Sequence, residues 1–214
     1  MTRPGPGGET GDGGTIRFPE MEPVPRPEWA SPIEVGVHAR SFYSALTEQP
    51  TRGVMRTLRD DPKLLSFLER HELGRLEFSG RLPDPRWHGW YLPSTGELVI
   101  NAFRGPDTYG EQFYPPALVS VSAAGRDVTE AMQRSLYHEL GHKIIDTCGP
   151  EVLHQVEHLR RSGRAIPISR RARAGPQEYF SECLAAYRFE NSFADKDPEG
   201  YHMVEAILRM AWRK

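Results

Sequence analysis

Between Asp127 and Pro150 the sequence commits to one long helix. Val128, Met132, Leu136, Leu140 and Ile144 recur every fourth residue, so their side chains stack along one face that must be buried. Asp127 and Thr129 are N-cap residue types, and Gly149 followed by Pro150 closes the segment. A helix of about twenty residues is roughly 30 Å long. An apolar stripe running its whole length demands that other elements be built around it.

A second face of the same helix carries chemistry. His138 and His142 are four residues apart, so both imidazoles leave the helix on one side and can reach a single metal ion. Glu139 follows the first His and can reach a water on that ion, taking its proton as general base. Leu140 and Gly141 between them carry no charge, which suits a buried segment. The pattern His-Glu-x-x-His points to hydrolytic zinc chemistry. The plainer alternative is an incidental pair of helical histidines.

Two imidazoles do not complete a catalytic zinc site, which takes three protein ligands and keeps one position open. The metzincin extension needs Gly at 145 and His at 148, and the chain has Ile145 and Cys148. Downstream, a helical pattern opening at Pro176 puts Glu178 and Glu182 on one face, with Glu178 lying 178 − 142 = 36 residues beyond the second His. That is enough chain for a helix and a return loop. Such a pair can supply one ligand, Glu178, and one partner that orients an imidazole, Glu182. A solvated acidic face is the alternative. His154-Gln155-Val156-Glu157-His158 spells the inverted zinc motif. However, Val152, Leu153, Val156 and Leu159 take the buried side of that helix and turn both histidines outward.

Taken in order, His138-Glu-Leu-Gly-His142 and Pro176-Gln-Glu178-Tyr-Phe-Ser-Glu182-Cys-Leu-Ala-Ala-Tyr187 resemble the two motifs of the anthrax lethal factor catalytic-domain family. That family includes the Pro-Pro endopeptidases and domains of phage and bacterial toxin proteins, and its second motif runs close to N-P-x-E-[YF]-F-A-E-x-F-A. The resemblance covers about residues 115–191. It implies one Zn2+ held by His138, His142 and Glu178, with Glu139 as the base and Glu182 behind the ligands. The implied activity is a zinc-dependent metalloendopeptidase acting on a peptide or protein substrate through Glu-assisted attack of a zinc-bound water. The family places a Tyr seven residues before its Glu ligand, where the hydroxyl helps to stabilise the oxyanion. Here 178 − 7 = 171 is Arg171, and the Asn before Pro is Gly175. Arg171 is accordingly the candidate oxyanion donor, with His154 and Tyr187 as stand-ins. A zinc-holding module of the same fold that acts through binding, toxin- or phage-associated, is the competing expectation.

The rest of the chain fits an α+β domain over residues 31–214, preceded by a flexible tail over 1–30 that holds six Gly and six Pro. Helical patterns run from about Ile33 to Leu73, broken at Asp60-Asp61-Pro62. Strands are expected over Arg75–Phe78, Trp87–Leu92, Glu97–Asn101 and Ala117–Ser122, the second and third joined as a hairpin across Pro93–Gly96. Helices then strands then helices, without β-α-β alternation, predict a small mixed sheet on the His-bearing helix with a helical lobe after it.

A formal charge of −2 argues against general nucleic-acid binding, and no apolar run is long enough for a membrane span. A monomer, cytoplasmic as synthesised, is the expectation, since no signal-peptide pattern is visible. Cys148 and Cys183 are read as reduced, partly buried thiols, with a disulfide between them as the alternative that spacing does not decide. Only four of the 27 basic residues are Lys, and six Arg between 160 and 173 form a loop that either rims the site or is merely solvated.

Overall fold

A computed structural model describes residues 34–38, 44–71, 75–79, 87–101, 121 and 126–213. Its elements in chain order are β1 (Glu34–His38), α1 (Ser44–Arg59), α2 (Pro62–Arg70), β2 (Arg75–Ser79), β3 (Gly89–Leu92), β4 (Glu97–Asn101), α3 (Val128–Cys148), α4 (Pro150–Arg161), α5 (Pro176–Phe189), α6 (Phe193–Lys196) and α7 (Pro198–Ala211). A 3-10 turn at Arg171–Arg173 precedes α5.

The helix starts follow from local chemistry. Asp61 accepts the Leu64 N–H at 3.1 Å and Pro62 occupies the first turn, which separates α2 from α1. Asp127 accepts the Glu130 N–H at 2.9 Å and begins α3. Gly149, at φ 91°, ends α3 and opens α4 at once, a backbone state that a side chain would strain.

The four strands form a mixed sheet in the order β1-β2-β4-β3. β1 is parallel to β2, β2 is parallel to β4, and β3 runs antiparallel to β4 as the first arm of the hairpin. Leu76, Leu98 and Tyr91 form one row across the sheet, and Phe78, Ile100 and Gly89 form the next. The side chains of Leu76, Leu98, Tyr91, Phe78 and Ile100 are buried, and with Met132, Leu136, Leu140 and Ile144 of α3 and Val54 and Leu58 of α1 they form the core. On the other side of α3 the C-terminal helices close the structure, α5 lying alongside it.

The expected zincin-like α+β arrangement is present: a small mixed sheet on the His-bearing helix, then a helical lobe. Several local expectations need correction. Residues 34–38 form a strand where a helical pattern was expected, and β1-α1-α2-β2 is a parallel pair with a helical crossover, so β-α-β alternation does occur. β3 begins at Gly89 rather than Trp87, and the short α6 had no forecast. The strand expected over 117–122 lies outside the described residues except for Val121, which is buried. So does the tail over 1–30. Among the described residues no helix is long and apolar enough to cross a membrane.

Candidate metal centre

Two helices bring the donors together. α3 supplies His138 and His142, and α5 supplies Glu178 from its first turn and Glu182 one turn later. Gly141 sets how closely those helices approach. A β-carbon there would lie 2.6 Å from the Ser181 α-carbon and 2.6 Å from its hydroxyl oxygen, so any side chain would force the helices apart.

One donor atom from each of His138, His142 and Glu178 lies within 4.8 Å of the other two. His138 Nε2 is 3.3 Å from Glu178 Oε2, and His142 Nε2 is 3.8 Å from Glu178 Oε1. Donors bound tetrahedrally to one zinc at about 2.0–2.1 Å stand about 3.3–3.4 Å apart. The triad is therefore nearly closed to that geometry. His138 Nε2 is buried and has no partner in hydrogen-bond geometry, an orphan that a metal would satisfy. Two imidazoles and one carboxylate are a donor set that suits zinc. The arrangement is zincin-like.

Behind the triad stands Glu182, with no exposed surface. Its Oε1 lies 2.8 Å from His138 Nδ1, close in distance though bent in angle. Its Oε2 accepts the Val121 N–H at 2.6 Å and the Ser169 hydroxyl at 2.7 Å. Burial works against ionising it, and His138 with these donors outweighs that and lowers its pKa. A carboxylate on the far nitrogen of a ligand imidazole fixes the ring and raises its basicity.

Glu139 is buried beside the triad. The row Phe78–Ile100–Gly89 ends at the sheet edge on a residue without a side chain, and Glu139 fills that space. A β-carbon on Gly89 would meet Glu139 Cγ at 2.8 Å and Oε1 at 2.9 Å. Burial pushes the Glu139 carboxyl up to about 7, against the opposing pull of His138 and Arg171. His142 moves the other way, down to about 4, because burial and the neighbouring His138 disfavour its charge.

A cleft of about 270 Å³ opens over these groups. Glu139, His142, Glu178, Arg171 and Gln177 form one side, and Trp87 and Gly89 to Tyr91 of the sheet edge form the other. Tyr91 donates its hydroxyl to Asp146 at 2.7 Å, tying that edge to α3. Trp87 and Trp90 stand edge to face at 5.8 Å and are among the few large apolar side chains exposed on the described residues.

Arg171 is in the cleft wall, and its guanidinium is engaged. Nε donates to Glu178 Oε2 at 2.7 Å and Nη2 to Glu178 Oε1 at 3.3 Å. Burial of Glu178 works against its charge, but His138 and Arg171 hold its pKa down to about 2. Other arginines of the loop serve elsewhere: Arg160 donates to the Arg173 carbonyl, Arg161 pairs with Glu157, and Arg164 pairs with Glu199. The two stand-ins do not line the cleft. His154 is exposed on α4, as is His158, and the Tyr187 ring packs on Tyr201 at 4.9 Å. Both cysteines are free and buried.

Ser169, Gly89 and Tyr91 were not anticipated from the sequence. No family model matches the chain, and no curated protein matches it either.

Proposed function

We propose that this chain is a zinc-dependent metalloendopeptidase. The observation that carries the reading is Glu139, a carboxyl buried beside three converging donors and facing the cleft. A zinc held only for stability has no use for such a group.

His138, His142 and Glu178 would hold the ion. Bound there, zinc supplies a Lewis acid that polarises the scissile carbonyl and makes water a nucleophile at neutral pH. Glu139 takes the proton of the attacking water and returns it to the leaving amine nitrogen. Glu182 keeps His138 in the tautomer that presents Nε2 to the ion. Arg171 donates two of its five N–H groups to Glu178, which leaves three for the oxyanion that develops on the carbonyl. β3 is an edge strand among the described residues, so an extended substrate can add to it by main-chain hydrogen bonds. The exposed Trp87 and Trp90 would then meet alternate substrate side chains.

The deciding experiment pairs metal analysis with cleavage of a proteome-derived peptide library. Glu139→Gln should retain zinc and lose cleavage. A zinc-loaded wild type that cleaves nothing in the library sinks the peptidase reading. It would favour the other one, a zinc-holding module that acts by binding, to which the Arg at position 171 also points.

A further inference from the structure

The cleft chemistry leaves one short segment unexplained. Ser169 and Arg171 lie two residues apart just before α5, and they reach two carboxylates four residues apart on that helix. Ser169 donates to Glu182 and Arg171 to Glu178. Those carboxylates in turn flank the two nitrogens of one imidazole, Glu182 at His138 Nδ1 and Glu178 at His138 Nε2. The segment is itself fixed. Ser169 is buried and its Oγ also accepts the Ala172 N–H at 3.0 Å, Ala172 has no exposed surface, and Arg173 and Ala174 N–H groups close the turn onto the carbonyls of Arg170 and Arg171.

We propose that Ser169–Arg171 is a brace that presets the metal site, with Arg171 the positioning residue for Glu178. This rests on His138, His142 and Glu178 being the zinc ligands. Glu178 sits in the first turn of α5, a quarter exposed, on a side chain with three free torsions. Without a partner it would sample solvent and have to be recovered each time an ion binds. The planar guanidinium fork matches a carboxylate in two-point contact, so one residue fixes the position of both oxygens. The clamp does not use the carboxylate up. An ionised carboxylate has about four lone-pair positions, and Arg171 takes one on each oxygen. The others remain for the ion. Lys could supply the charge but not the fork.

The test reads zinc affinity directly, by chelator competition on the full chain, alongside melting temperature. Arg171→Ala should weaken zinc binding roughly 10- to 100-fold, the usual effect of losing a group that orients a ligand, with the fold retained. Arg171→Lys should recover part of the loss, and Arg171→Gln little. Loaded with Co2+, wild type should give the intense visible bands of a tetrahedral site, and Arg171→Ala a weaker, shifted spectrum. Ser169→Ala should weaken zinc to a smaller degree through Glu182. Zinc affinity within twofold of wild type in a folded Arg171→Ala overturns the brace, even if cleavage falls. That pattern would make Arg171 an oxyanion donor only. A wild type that takes up no zinc overturns the metal reading and the brace together, and is seen before any substitution is made.

Discussion

Gly141 of α3 lies directly against Ser181 of α5. A methyl group on Gly141 would stand 2.6 Å from the Ser181 α-carbon, and that atom belongs to a helix backbone that cannot turn aside.

Gly141→Ala should therefore destabilise the protein despite the better helix propensity of Ala. Overpacking of this kind costs about 1–3 kcal/mol, against a gain of up to about 1 kcal/mol from propensity. Because α3 carries the imidazoles and α5 the carboxylates, zinc affinity should fall as well. Chemical denaturation and chelator competition check the two effects; an unchanged denaturation midpoint would show that the helices can separate at no cost.

Gly89→Ala should act on chemistry more than on the metal. The added carbon would press on Glu139 Cγ and Oε1 at 2.8 and 2.9 Å and displace the carboxyl from its pocket. The expected result is zinc content as in wild type with kcat reduced at least tenfold. A misplacement of about 1 Å is enough for losses of that order or more. Full activity in this variant would show that Glu139 does not need its present position.

Acid should loosen the start of α3. Burial of Glu130 disfavours its charge, but Arg126, at 2.7 Å, and Arg134, at 2.7 Å, outweigh it and hold the carboxyl down to about 2. A depressed folded-state pKa means stability that is present above the unfolded value near 4.5 and lost as pH falls toward 2. Solvent screens the exposed Arg126 partner, so Glu130→Gln should cost about 1 kcal/mol at pH 7 and almost nothing near pH 2. Equal destabilisation at both pH values would remove ionisation from the explanation.

The inverted motif on α4 should be silent. His154 and His158 are exposed and away from the cleft, so replacing both with Ala should leave zinc stoichiometry at one per chain. A fall in bound metal would reveal a second site there.

Legibility of the sequence followed the range of the interactions. The stripe of Met132, Leu136, Leu140 and Ile144 and the Asp61-Pro62 and Asp127 helix starts are local, and their positions were readable to within a residue or two. Glu178 was readable as a partner for the histidines because helical spacing placed it with Glu182 on one face. β1 was not: five residues with Gly36 between two valines give a short period-two signal, and their pairing with Arg75–Ser79 depends on a crossover of two helices. Ser169 was equally hidden, since it lies in an irregular segment and meets Glu182 only through the fold. Gly89 carries no signal at all until Glu139 is seen to occupy the space beside it. Arg171 was found only through the resemblance, at the place where that family's Tyr stands before Glu178, and the fork it makes on that residue's carboxylate was not.

The corner between α4 and α5 has a practical consequence. Ser162, Gly163 and Arg164 are exposed, and Gly163 turns the chain at φ 73°. Everything before that corner carries the imidazoles and the base; everything after it carries the carboxylates and their brace. A break at Gly163 would divide the protein into two pieces, one holding the imidazoles and the base and the other the carboxylates. Zinc would then act as the thread that sews the halves together, and the chain becomes a natural template for a split reporter whose reassembly is read out by metal.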